Sequence, residues 1–141
     1  MKKMEGGCLC GQIRYEIDNE PLFTSICHCK NCQKQCGTAF SILLVVERKK
    51  LKIQGKLNVY LDKGDSGNNV QRKFCGQCGS PILSEISTAS HLYFLKAGTL
   101  DNTKNLSPSR EIYTNSKLNC LNIINNAEQY ELGYFVKKNN E

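Results

Sequence analysis

The 141-residue sequence has no tryptophan, only 3 prolines, and no apolar run longer than Ile42 to Val46. Such a run falls far short of the roughly 20 residues that a membrane-crossing helix needs. The first residues, Met1-Lys2-Lys3-Met4-Glu5-Gly6-Gly7, include no apolar stretch of signal-peptide length. Helical periodicity never extends beyond about three turns. Repeats, low-complexity tracts and breaks in composition are also missing. These absences exclude a transmembrane helix and a repeat array, and they lead us to expect one compact domain over residues 1–141, in the cytoplasm. Hydrophobic residues at 40% and charged residues at 23% fit an ordinary globular chain.

Charge is modest. Lys and Arg number 19 against 13 Asp and Glu, a net charge of +6. Basic clusters occur at Arg48-Lys49-Lys50, Arg72-Lys73 and Lys137-Lys138, without aromatic residues interleaved among them. This falls short of a nucleic-acid footprint and reads first as solvated surface. It would draw small anions as readily as a polyanion.

Short strands dominate the pattern. Gln12 to Ile17 alternates apolar and polar residues, as a half-buried strand does. Ala39 to Val46 reads as a strand buried on both faces. Further strands are expected at Leu51–Ile53, Leu57–Leu61, Val70–Phe74, Pro81–Ile86, Leu92–Ala97 and Tyr130–Val136. The best short helix spans Asn31 to Cys36. Loops are marked at Asp62–Asn69 and Gly98–Pro108, and the polar tail Lys137 to Glu141 is expected to fray. The sum is a mainly β, single compact domain of antiparallel strands and long loops.

Cysteine is abundant: Cys8, Cys10, Cys27, Cys29, Cys32, Cys36, Cys75, Cys78 and Cys120, 9 in all. An odd count without an export signal argues against a disulfide framework, and the C-x-C and C-x-x-C spacings favour metal ligation in a reducing compartment. Cys8-Leu9-Cys10-Gly11 and Cys75-Gly76-Gln77-Cys78-Gly79 together supply the four thiolates of a closed, structural zinc site. Glycine after each pair permits the positive φ that such a turn requires. Cys27-His28-Cys29-Lys30-Asn31-Cys32 supplies three thiols within six residues. Three protein ligands and one exchangeable position are what a catalytic zinc needs. His28 points away if Cys27 and Cys29 point in. Cys36, four residues beyond Cys32, would close this second site if it joined. Cys120 reads as a buried small hydrophobe. A thioredoxin-like pair at Cys29 and Cys32 lacks the expected βαβ setting, and haem attachment is excluded because Gln33, not His, follows Cys32.

These motifs, in order, resemble the glutathione-dependent formaldehyde-activating enzyme family, whose domain also occurs in centromere protein V. The resemblance is carried by Gly7-Cys8-Leu9-Cys10-Gly11 with Tyr15, and by Cys27-His28-Cys29-Lys30-Asn31-Cys32-Gln33-Lys34 with Gly37-Thr38-Ala39-Phe40. It continues through Arg72-Lys73-Phe74-Cys75-Gly76-Gln77-Cys78-Gly79-Ser80-Pro81 and Ala97-Gly98-Thr99-Leu100-Asp101, then Pro108, Ile112 and Ser116-Lys117. It implies a core from about residue 7 to 117, with a fold of the mammalian-suppressor-of-Sec (Mss)-like zinc type. It implies a structural zinc on Cys8, Cys10, Cys75 and Cys78, and a second, catalytic zinc on Cys27, Cys29 and Cys32. The implied activity is that of a carbon–sulfur lyase, which adds the thiol of glutathione to formaldehyde to give S-hydroxymethylglutathione. Lys30, Lys34, Arg72 and Lys73 could meet the carboxylates of glutathione, although solvated surface is the plainer role for each. Two departures bear on the substrate pocket while sparing the cysteines. The tryptophan that follows the Ser-Lys motif in the family is replaced by the run Leu118-Asn119-Cys120, and the Asp62–Asn69 loop lacks the serine-rich, proline-containing stretch. The thiol and the aldehyde are therefore left open. The alternatives to an enzyme are a non-catalytic zinc module that binds protein or nucleic acid through its basic face, and a thiol-redox or metal-buffering protein.

Overall fold

A computed structural model describes residues 3–122 and 127–133. Strands β1 (Met4–Gly7), β2 (Arg14–Ile17) and β5 (Leu51–Gln54) form a three-stranded antiparallel sheet in the order β1-β2-β5. A larger, eight-stranded sheet contains β3 (Phe23–Cys27), β4 (Ser41–Glu47), β6 (Leu57–Lys63), β7 (Asn69–Cys75) and β8 (Pro81–Ile86). It is completed by β9 (Leu92–Lys96), β10 (Arg110–Ile112) and β11 (Glu128–Gln129), in the order β11-β10-β3-β4-β9-β8-β7-β6. The chain is mainly β, as expected from its sequence. One correction concerns strand direction: β10 runs parallel to β3 and to β11. Long connections separate these three strands in sequence, which frees them from the antiparallel pairing that tight hairpins impose.

The α-helix α1 (Lys30–Cys36) starts one residue earlier than its sequence signal. The expected strands at 51–53, 57–61, 70–74, 81–86 and 92–97 all appear within a residue or two of their expected bounds. The Asp62–Asn69 loop is shorter than expected, because β6 continues to Lys63 and β7 begins at Asn69. The strand expected over Tyr130–Val136 is instead the short β11, just before Tyr130; residues 134–136 and the polar tail lie outside the described residues. No described helix is long and apolar enough to cross a membrane.

The reading of β4 as buried on both faces explains how the core is divided. Leu44 and Val46 pack with Ile13, Tyr15, Ile17, Leu51, Leu95 and Ala97, which fills the space between the two sheets. Leu43 and Val45 pack on the other face with Phe94, Ile112 and Tyr130. Alternation along one strand thus feeds two cores, so no polar face remains. The first core includes Cys8 and Cys75, and the second includes Cys27, Cys29 and Cys32. Each cysteine cluster is therefore set into its own apolar shell, on opposite faces of the large sheet.

Candidate metal centres

Cys8, Cys10, Cys75 and Cys78 are brought together, with all four Sγ atoms within 4.8 Å of one another. Two glycine-ended turns carry them, the first closing over three residues and the second over four. In the first, the Gly11 N–H donates to the Cys8 carbonyl at 3.1 Å, and in the second the Gly79 N–H donates to the Cys75 carbonyl at 2.8 Å. Gly11 (φ +82) and Gly79 (φ +79) take the left-handed conformation anticipated for them. Ser80 links the turns: its hydroxyl accepts from the Leu9 N–H at 3.0 Å and lies 3.2 Å from Cys78 Sγ. The Ile13 N–H points at Cys8 Sγ at 3.2 Å.

Four sulfurs at about 2.3 Å around a tetrahedral zinc would stand about 3.8 Å apart. Cys8 and Cys10 are separated by 3.5 Å, and Cys10 and Cys75 by 3.8 Å. The donor set fits a zinc ion in chemistry and in spacing. Its electrostatics point the same way. The Ser80 hydroxyl, assisted by the amides of Ser80 and Cys10, pulls the Cys78 thiol down to about 5. Although the Gln12 amide favours a thiolate on Cys10, burial and its three sulfur neighbours push that thiol up to about 12. Four thiolates cannot share this space without a cation between them.

The second cluster, Cys27, Cys29 and Cys32, is buried throughout, again with every Sγ within 4.8 Å of the others. Cys27 ends β3, and Cys29 caps α1 by accepting from the Cys32 N–H at 3.3 Å. The helix then carries Cys32 back over the strand end. Gln33 fastens this turn, donating to the carbonyls of His28 at 2.7 Å and Ser116 at 3.0 Å. Of the three thiols, Cys32 is the one drawn toward the thiolate form. Hydrogen bonds from Cys27 and Cys29 keep that thiol far below its ordinary range, with the positive charges of Lys96 and Arg72 adding to the effect. Hydrogen bonding to Cys29 and Cys32, together with burial, pushes Cys27 well up. Cys36 is half-buried, lies outside the cluster, and directs its Sγ to Gln35 Oε1 at 3.5 Å. Three thiols therefore meet here, without a fourth protein ligand among the described residues.

His28 points away from the cluster, as its position between two inward cysteines requires. Its Nε2 lies 2.8 Å from Glu111 Oε1, in a pair that is almost wholly buried. Glu111 Oε2 in turn accepts from Gln129 Nε2 at 2.8 Å. Two expectations fail. Cys120 is exposed in a turn, not buried. Arg72 is not solvated surface: it is 5% exposed, with Nε on Asp62 Oδ2 at 2.7 Å. Lys73 is half-buried and pairs with Glu85 at 2.6 Å, while Lys30 and Lys34 are exposed on α1.

Lys96 and Tyr113 escaped notice in the sequence. Lys96 is 5% exposed and donates to Ser41 Oγ at 2.9 Å. A charged residue closing the apolar run Leu92 to Leu95 was the signal available. Tyr113 packs against the second cluster with φ 55, an unusual backbone conformation for a bulky side chain, and no local sequence feature announces it.

The profile of the family described as glutathione-dependent formaldehyde-activating enzyme matches residues 3–116. A Schizosaccharomyces pombe protein described as an uncharacterized lyase is 22% identical over 137 residues, covering 97% of both chains. A crystal structure of a Rhodobacter sphaeroides protein superposes with a TM-score of 0.56 at 21% identity, covering 72% of this chain and 92% of the other. The last likeness is one of fold.

Proposed function

Because the chain belongs to the glutathione-dependent formaldehyde-activating enzyme family, we propose that it is a zinc-dependent carbon–sulfur lyase. In this reading it joins a small thiol such as glutathione to formaldehyde or a related small aldehyde. The observation that carries the reading is the contrast between two cysteine clusters, one with four thiols and one with three. Cys8, Cys10, Cys75 and Cys78 would hold a structural zinc, and Cys27, Cys29 and Cys32 a catalytic one. The lyase description of the yeast relative supports the reaction class. Nine free thiols suit a reducing compartment such as the cytoplasm.

A zinc ion bound by Cys27, Cys29 and Cys32 supplies Lewis acidity that lowers the pKa of a thiol placed in the remaining position. The protein does the rest by placement. Cys27 ends β3, Cys29 caps α1 and Cys32 lies in its first turn, so one short segment would supply all three donors. Leu43, Phe94 and Ile112 exclude water from behind the sulfurs. The substrate sulfur gives up its proton to solvent and attacks the aldehyde carbon. As the carbon–sulfur bond forms, the carbonyl π pair moves to oxygen, which takes up one proton. The product is the S-hydroxymethyl thioether, and the reverse steps release aldehyde and thiol.

The test is exchange NMR of glutathione and formaldehyde with zinc-loaded protein. The wild type should accelerate adduct exchange, and Cys29→Ser should abolish the acceleration while still unfolding cooperatively. Equal acceleration by Cys29→Ser, or none by a wild type carrying both metals, would contradict the proposal.

A further inference from the structure

Strand register places a row of polar groups along the face that carries the second cluster. Cys27 on β3 pairs with Ser41 on β4, and Leu43, two residues further on, pairs with Lys96 on β9. Phe94, two residues before Lys96, pairs with Ser84 on β8, which pairs with Arg72 on β7. Residues two apart share a face, so Cys27, Ser41, Lys96, Ser84 and Arg72 all point the same way. The surroundings are apolar and dry: Lys96 and Arg72 are each 5% exposed.

The charges in this row do not balance by themselves. Arg72 is matched by Asp62 at 2.7 Å. Lys96 has the Ser41 hydroxyl, and among the described residues no carboxylate forms an ion pair with it. A buried ammonium without a counter-charge is costly. Ser41, which the Lys96 ammonium reaches at 2.9 Å, pairs across the strands with Cys27, so the sulfur cluster is the next polar group on this face. Three thiolates on a divalent ion carry a net charge of −1, which one ammonium neutralises. An anionic fourth ligand then approaches a neutral centre. Without Lys96 it would join a centre already negative.

We propose that Lys96 is a specificity-determining residue that makes the open position beside Cys27, Cys29 and Cys32 prefer a thiolate to a neutral ligand. Arg72, held by Asp62, also reaches Cys32 and supports Lys96 there. Lys96 acts through space on the ligand's charge, without touching the reacting atoms. This inference rests on the metal-site reading above and adds the charge selectivity of the fourth position.

Cobalt-loaded protein provides the test, because cobalt's visible absorption reports each ligand that enters the open site. Titrations with 2-mercaptoethanol at pH 8 and with imidazole give the ratio of thiolate to imidazole affinity. Lys96→Gln, which can keep the hydrogen bond to Ser41, should lower that ratio by about tenfold or more, and Lys96→Arg should retain it. Lys96→Met, an apolar replacement suited to a buried position, gives a second reading if the glutamine variant does not fold. A ratio unchanged in the charge-free variant would overturn the inference while leaving the metal site standing. Failure of the wild type to take ligand-responsive cobalt at the cluster would overturn the metal reading and this inference with it.

Discussion

At the scale of single residues, Tyr15 shows what the Gly98-Thr99-Leu100-Asp101 signature does. Its hydroxyl lies 2.8 Å from Thr99 Oγ1, and Arg14 beside it grips Asp101 with both terminal guanidinium nitrogens. The Asp101 N–H donates to the Glu5 carbonyl at 2.9 Å. The signature is thus a clamp between the two sheets, remote in role from the cysteine chemistry. Tyr15→Phe should cost about 1 kcal/mol, measured by urea unfolding, since one hydrogen bond is lost and the ring is kept. Burial pushes the Tyr15 phenol up to about 12, from an ordinary value near 10. Its contribution is therefore complete below pH 10 and disappears as pH rises through 12, because the unfolded chain gives up this proton first. Tyr15→Phe should remove that part of the alkaline loss. Gly6 lies beneath the same contact, and a Cβ there would stand 2.3 Å from Thr99 O and from the Tyr15 hydroxyl oxygen. Gly6→Ala should cost about 2 kcal/mol or more, read as a lower Tm.

At the scale of elements, β4 and the two glycine turns were legible because local patterns determine them. A short apolar run ending in two β-branched residues fits a strand covered on both faces, and a glycine after a cysteine pair marks a left-handed turn. The grouping of the thiols was legible from spacing and chemistry. Strands β1, β3 and β10 were not. β1 reads Met4-Glu5-Gly6-Gly7, and its strand conformation comes from pairing with β2. β10 is three residues long and is held between β3 and β11. Their order in the sheet depends on contacts distant in sequence, and so does the burial of Arg72, Lys96 and Glu111. Glu111 shows how much such a contact carries: its pairing with His28 and Gln129 ties β10 to the end of β3 and to β11. Glu111→Ala would leave His28 Nε2 and Gln129 Nε2 buried without this acceptor, and should cost about 3 kcal/mol by denaturant unfolding.

At the scale of the whole molecule, the large sheet separates two cores with different duties. The four-thiol cluster joins Cys8 and Cys10, beside the small sheet, to Cys75 and Cys78 at the end of β7, so a metal there would fasten elements far apart in sequence. Its loss should unfold the chain, since ligand removal from a closed site removes folding free energy. The three-thiol cluster joins neighbours along β3 and α1, so its metal should leave first under a chelator, with β structure retained by circular dichroism. Native mass spectrometry of zinc-saturated protein, with and without glutathione, tests the division between these centres most directly. The wild type should carry two zinc ions and gain a glutathione adduct, and Cys29→Ser should keep one zinc ion and lose the adduct. A wild type that holds a single zinc ion at saturation, or a Cys29→Ser protein that still binds two zinc ions and glutathione, would contradict the account.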